Sequence, residues 1–335
     1  MSSLFSTEII LNISLKYNIY VSLLIAIIGL IGNSLNIIVF TNLKLFRKNQ
    51  CIFYLIIEAI ANIGQLIILL SLRILLVLYG SDLSQYSFIW CKFRSMVIQI
   101  FLLPSILTVC CMTFDQFLST SYLFYLRQIS TLKLARHLIF GSICFSLFHS
   151  ILLGLLFDYK PLITCAIFNP ALNRYISYFF YPVLCGFLPI SITISCSLLA
   201  YRNVRRITRR QLNVVRRRLD RQLTAMVLIR VWFFILFKTT FVVYRIYAIN
   251  TTIDPTDSMR LAIERLILTI ISSLLNLDYA INFSIFFASS SQYRRQVKYV
   301  LIKKVWQRCK RWFRSEQNQI DPAIELRPTH SIEFD

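Results

Sequence analysis

Twenty consecutive residues, 95–114, carry no charged side chain. A stretch of that length is read as a transmembrane helix, because lipid offers backbone N–H and C=O groups no partner and a helix satisfies them internally. It is preceded by Cys91-Lys92-Phe93-Arg94 and followed by Asp115-Gln116-Phe117-Leu118-Ser119-Thr120-Ser121. Cys91 and Asp115 are 24 residues apart, and at ~1.5 Å per residue a helix separates them by about 36 Å. That is enough to set the cysteine at one membrane face and the acid at the other.

Six more apolar segments share the pattern, so the approximate limits of the seven are 17–41, 51–78, 91–124, 132–157, 175–201, 222–249 and 261–287. The first holds no charge between Lys16 and Lys44 and the fifth none between Arg174 and Arg202, whereas the sixth carries Arg230 and Lys238. Hydrophobic residues make up 57% of the chain and charged residues 15%, which fits a multispanning protein and not a soluble one. The expected fold is therefore an all-α membrane protein, a seven-transmembrane helix bundle. The net charge of +21 does not point to nucleic acid, because the basic residues cluster between the apolar spans. Membrane lipid is the partner that such clusters imply.

Their distribution sets the topology. With the amino terminus outside, 25 Lys and Arg fall on the cytoplasmic side and nine near or beyond the outer face, as the positive-inside rule requires. The sequons at Asn12 and Asn250 then lie outside as expected glycosylation sites, while a third at Asn282 falls within the seventh span and is expected to be unmodified. No basic start followed by an apolar run and a cleavage site opens the chain, so the first span is expected to serve as its own targeting signal. The expected location is the plasma membrane, with the carboxyl terminus in the cytosol.

Four regions follow. Residues 1–16 form a short extracellular tail and 17–291 the membrane domain. Residues 292–314 mix Tyr293, Val297, Val300, Leu301, Val305 and Trp306 with basic side chains, as an amphipathic helix on an anionic leaflet would. Residues 315–335 turn polar and acidic and are expected to be disordered. Of nine cysteines, Cys110, Cys111, Cys144, Cys185 and Cys196 lie inside apolar segments and read as small hydrophobic residues. Cys91 and Cys165 fall where an oxidising compartment can pair them. Cys309 is a weak palmitoylation candidate.

Several short motifs lie in order along this seven-span chain. They are Gly32-Asn33 in the first span, Cys91 at the head of the third, Asp115-Gln116-Phe117 at its foot, Pro189 in the fifth, and Asn282-Phe283-Ser284-Ile285-Phe286 in the seventh. In this order and spacing the chain resembles rhodopsin-like (class A) G-protein-coupled receptors over about residues 20–295. The likeness is nearest to divergent invertebrate orphan receptors of that class, in which the run Asp-Gln/Arg-aromatic-Leu-Ser-Thr-Ser also occurs. The resemblance implies a Cys91–Cys165 disulfide, an unknown extracellular ligand (a small molecule or a peptide) and a heterotrimeric G protein as the cytosolic partner.

The departures from the family pattern are equally specific. Asn62 stands where the second span usually has an aspartate, so the charge that would hold a sodium ion is missing. Gln116 replaces the arginine that in the family reaches the G protein. The sixth span reads Phe237-Lys238-Thr239-Thr240 in place of Cys-Trp-x-Pro, and the seventh lacks its proline. Proline kinks are common hinges, so any switching is expected to bend the helices elsewhere or by less.

Charges inside the membrane are the best pointers to a site, because burial is expensive unless the charge is paired or wetted. In the family the positions of Lys238 and Asp278 approach each other beneath the ligand cavity. The expected arrangement is a Lys238–Asp278 pair that a ligand engages or breaks, or else a permanent pair that only fixes helix packing. Gln99 lines the pocket or bonds a neighbouring helix. Glu58, one turn from Asn62 on the same face, is a hydrogen-bonded buried carboxyl, or the acid that replaces the missing aspartate. Asp115 hydrogen-bonds or pairs with a cytoplasmic arginine, and Asp220 is placed to bond Gln116, although its arginine neighbours offer it an easier partner. His149 reads as a polar helix contact, with no Cys or His at ligand spacing beside it. No motif for nucleotide, metal or covalent catalysis is present, so no catalytic residue and no cofactor are expected. A non-signalling seven-span scaffold or decoy, and a transporter or channel using Glu58, Lys238 and Asp278, are the alternatives to a receptor.

Overall fold

The computed structural model describes residues 2–42, 50–79, 87–156, 158–160, 164–166, 169–207, 214–251 and 257–306. Its helices are α1 (Ser2–Asn42), α2 (Gln50–Tyr79), α3 (Phe88–Thr120), α4 (Phe124–Ile129), α5 (Leu132–Leu156), α6 (Pro170–Arg174), α7 (Leu188–Ile207), α8 (Val214–Asn250), α9 (Ser258–Ala280), α10 (Asn282–Ser289) and α11 (Ser291–Lys298). A π-helical stretch, Tyr175–Phe187, links α6 to α7. Six of the helical stretches are long and apolar enough to cross a membrane, and α9 with α10 makes the seventh as a bent pair.

The first helix is longer than its apolar stretch. Residues 2–16, expected as a short tail, are helical and continuous with the first span. Small polar side chains fasten this extension to α9: Ser14 Oγ lies 3.2 Å from Thr269 Oγ1 and Tyr17 OH 3.0 Å from Ser273 Oγ. Further along, Ile25 and Ala26 of α1, Leu66 and Leu69 of α2, and Tyr279 and Ala280 of α9 form one buried cluster. A Cβ on Gly29 would stand 2.6 Å from Leu66 Cδ1 and 2.8 Å from Ala280 Cβ. Only glycine lets the three helices approach so closely. The opposite side of α1 exposes Leu24, Ile27, Ile28 and Ile31, an apolar stripe suited to lipid.

The central helix, α3, packs against α2, α5 and α7. Between the fourth and fifth spans the chain departs from the all-helical expectation in one short antiparallel hairpin, β1 (Asp158–Lys160) with β2 (Thr164–Ala166), which sets Tyr159 opposite Cys165. In the fifth span Pro182 and Pro189 each remove a backbone donor, and the π-helical turns occupy the stretch that ends just before Pro189.

The seventh span bends by 56° between α9 and α10, although it has no proline. Asn33 supplies the cause: its Nδ2 donates to the Tyr279 carbonyl at 2.8 Å, two residues before the break at Ile281. A side chain inserted into the i→i−4 ladder kinks a helix as effectively as proline does.

Residues 1–290 form one compact unit and 291–335 a second. In the second, α11 and a π-helical stretch, Tyr299–Val305, bury Tyr293, Val297 and Val300 and expose Arg295 and Lys298. Of the apolar residues expected on one side of 292–314, Tyr293, Val297 and Val300 are buried, whereas Leu301 and Trp306 are exposed. Cys309 and 315–335 lie outside the described residues.

Candidate functional site

The most heavily charged place inside the bundle is built on α8. Arg230, Phe234 and Lys238 follow at intervals of four residues, so they share one face of the helix. Arg230 is fully buried, as are Glu58 on α2 and Asp278 on α9 to within 1%. The guanidinium donates from Nε to Glu58 Oε1 at 2.9 Å, and its Nη2 lies 2.8 Å from the same oxygen. Its Nη1 donates to Asp278 Oδ1 at 2.5 Å. Asn282 Nδ2, at the start of α10, also donates to Glu58 Oε1 at 3.0 Å. One arginine thus ties the sixth span to the second and the seventh.

Arginine suits this junction because its planar fork reaches two carboxylates at once and it stays charged when buried. Removing one member would strand a buried charge, and that costs roughly 3–5 kcal/mol. Glu58 Oε2, Asn62 Nδ2 and Asn282 Oδ1 are buried with no hydrogen-bond partner among the described residues.

The expected Lys238–Asp278 pair does not form. Arg230, eight residues earlier on α8, takes Asp278, and Lys238 faces rings instead: its Nζ lies 5.7 Å from the centroid of Phe234 and 5.4 Å from that of Tyr279. Arg230 also lies over Phe234, with Cζ at 5.8 Å, so this phenyl ring stands between two cations. The sequence reading saw both basic residues in the sixth span and assigned only the lysine. The overlooked signal was that two intramembrane acids, Glu58 and Asp278, call for a donor able to satisfy both.

The other polar positions fall into place around this centre. Asn62 Oδ1 accepts from Ser105 Oγ at 2.7 Å, joining α2 to α3. Asn33 Nδ2 donates to the carbonyls of Gly29 and Tyr279, both at 2.8 Å. Gln99 is 7% exposed and its Oε1 has no hydrogen-bond partner among the described residues. His149 Nε2 lies 2.9 Å from Tyr175 OH, a contact between the fourth and fifth spans. Cys91 is buried and disulfide-bonded; of Cys165 only the backbone, on β2, is described. Cys110, Cys111, Cys144, Cys185 and Cys196 are free thiols. Asn12 is exposed on α1 and Asn250 is exposed as the last residue of α8, whereas Asn282 is buried.

A model of the family described as 7 transmembrane receptor (rhodopsin family) matches residues 32–282. The chain belongs to the rhodopsin family of seven-transmembrane receptors. A search of curated proteins gave no match. The matched region of the receptor contains every member of the Arg230 junction, from Glu58 to Asn282.

At the other end of α3 the receptor's altered motif makes two contacts. Gln116 Nε2 donates to Thr224 Oγ1 on α8 at 2.6 Å. Thr224 lies one turn beyond Asp220 on α8; the expected Gln116–Asp220 bond involves a side chain that lies outside the described residues. Ser130 Oγ donates to Asp115 Oδ1 at 2.8 Å, the hydrogen-bonded one of the two arrangements expected for this acid. Gln50 Nε2 donates to the Ser130 carbonyl at 2.7 Å, which draws the start of α2 into the same knot. Phe117, between the two polar residues, is half-buried.

Proposed function

We propose that the chain is a ligand-activated receptor of the plasma membrane, with its amino terminus outside, that passes an extracellular signal to a heterotrimeric G protein. The observation that carries the reading is the placement of two polar clasps on α8: Arg230 with Glu58 and Asp278 in the interior, and Thr224 with Gln116 toward the cytoplasmic end. A helix held at two depths by polar contacts has two discrete arrangements, clasped and released, and a ligand that binds one of them more tightly shifts the balance. Lys238, Asp278 and Gln99 are the ligand-side groups. Asp115, Gln116, Phe117, Asp220 and Asn282 are the switch and the G-protein-facing groups. Asn33, Asn62 and Glu58 form the polar core between them.

The outer rim is closed by a Cys91–Cys165 disulfide, and Asn12 and Asn250 carry glycans. Residues 292–314 lie on the inner leaflet as an amphipathic helix with anionic lipid at its basic face. The protein performs no catalysis and takes no cofactor in this reading.

Guanine-nucleotide exchange on a panel of heterotrimeric G proteins, measured with wild type and with Gln116→Arg, tests the proposal. Exchange above the receptor-free rate by either form supports it. Surface-expressed protein that drives none, in either form, leaves the decoy reading. Solute flux through purified protein in liposomes would favour a transporter that uses Glu58, Lys238 and Asp278.

A further inference from the structure

Three cations lie along one side of α8. Arg230, Lys238 and Arg245 are separated by eight and seven residues, close to two helical turns each. The apolar part of the helix ends at Ala248, on the outer side in the proposed orientation. Counted from there at ~1.5 Å per residue, Arg245 lies about 5 Å deep, Lys238 about 15 Å and Arg230 about 27 Å.

Only the deepest of the three has carboxylates within ion-pair distance, although Asp278 also attracts Lys238 from further off. Glu58 and Asp278 are both taken by Arg230. Lys238 is 2% exposed and makes no hydrogen bond or ion pair among the described residues; its contacts are the faces of Phe234 and Tyr279. Arg245 lies over Tyr181, with Cζ 4.4 Å from the ring centroid, and its buried Nε has no hydrogen-bond partner among the described residues. Glu264, on α9, accepts a hydrogen bond from Tyr247 OH. Ring faces offset part of the lost hydration of a cation, but they supply no lone pairs to the three N–H donors of an ammonium. An intramembrane charge in that state marks a binding path.

We propose that Lys238 anchors the anionic group of the extracellular ligand, a carboxylate on an apolar body, and that Arg245 is the cation such a ligand meets first. The proposal rests on the reading of the chain as a ligand-activated receptor and names the class of ligand. A carboxylate fits because its oxygens accept the N–H donors that the rings leave unused. Arg230 and Lys238 already balance Glu58 and Asp278 in number, so a single negative charge is the smallest excess an anion can bring, whereas a dianion such as a phosphate monoester would double it among Phe234, Tyr279 and Tyr181. The same rings call for an apolar body.

Thermal unfolding of the full-length protein in nanodiscs, titrated with benzoate at constant ionic strength, tests it, with isosteric but neutral benzamide as the control. Benzoate is expected to raise the midpoint saturably and benzamide to leave it unchanged. Lys238→Met is expected to weaken benzoate at least tenfold, Lys238→Arg to stay within threefold of wild type, and Arg245→Gln to weaken it about threefold. If Lys238→Met does not fold, Lys238→Gln carries the same expectation, and the benzoate-to-benzamide comparison needs no variant. Benzamide acting as well as benzoate, no saturable effect of benzoate, or undiminished binding by the Lys238 variants would overturn the proposal. Nucleotide exchange is read separately. Benzoate binding by a protein that drives no exchange keeps the anion site and removes the receptor reading; exchange by a protein indifferent to benzoate removes the anion site alone.

Discussion

Arg230 and Asp278 meet at 2.5 Å in the interior of the bundle, and the same guanidinium holds Glu58 on a third span. Net attraction within such a junction is modest, because removing three charged groups from water offsets most of what their pairing returns. Its effect is specificity: α8 has one depth and one rotation at which both acids are satisfied.

The junction therefore behaves asymmetrically under mutation. Arg230→Met strands two carboxylates and is expected to destabilise the fold by roughly 3–5 kcal/mol. Adding Glu58→Gln and Asp278→Asn to that variant removes the stranded charges and is expected to recover most of the loss. Thermal midpoints of the single and triple variants in the same detergent check this, and a triple variant no more stable than the single would contradict it.

The bend in the seventh span depends on a donor. Asn33→Asp keeps the side-chain shape but loses the N–H groups that reach Gly29 and Tyr279. It is expected to cost about as much as Asn33→Ala, roughly 1–3 kcal/mol for the two carbonyls affected. Denaturation curves of both variants measure this. If Asn33→Asp keeps wild-type stability, the donor is not what holds the bend.

The clasp between α3 and the start of the sixth span includes the Gln116–Thr224 hydrogen bond. Thr224→Val removes the acceptor of Gln116 at a cost of about 1 kcal/mol. In a two-state receptor that is a roughly fivefold shift toward the released form. Basal nucleotide exchange is expected to rise by a few-fold with little change in surface expression.

Most of the architecture was legible because lipid leaves a chain few choices: segments without charge must be helices. The helical course of residues 2–16 was not legible. Its hold comes from Ser14 and Tyr17 meeting α9, which no local pattern announces. The bend at Ile281 was hidden for a related reason, since Asn33 reaches Tyr279 only where Gly29 lets α1 close on α2 and α9. Arg230 was overlooked in favour of Lys238 because pairing depends on the relative depth of three helices. Apolar patterning fixes each depth only to within several residues, and the two candidates differ by eight.

The disulfide at Cys91 yields a cycle. Cys91→Ser is expected to lose about 2–5 kcal/mol, the usual worth of a native disulfide. If Cys165 is the partner, Cys165→Ser should lose the same and the double variant no more than either. Additive losses would assign Cys91 another partner.

The claim on which the rest depends is that Arg230, through Glu58 on α2 and Asp278 on α9, fixes the place of α8 in the bundle and with it the distance from α8 to α3. Pulsed electron spin resonance between labels carried on unnatural side chains at positions 119 and 225, read in nanodiscs, measures that restraint. The Arg230→Met protein, and separately the Glu58→Gln/Asp278→Asn protein, are predicted to show the distance distribution broadened and shifted outward by several ångström relative to wild type. Distributions that superimpose on wild type in both variants would contradict the account.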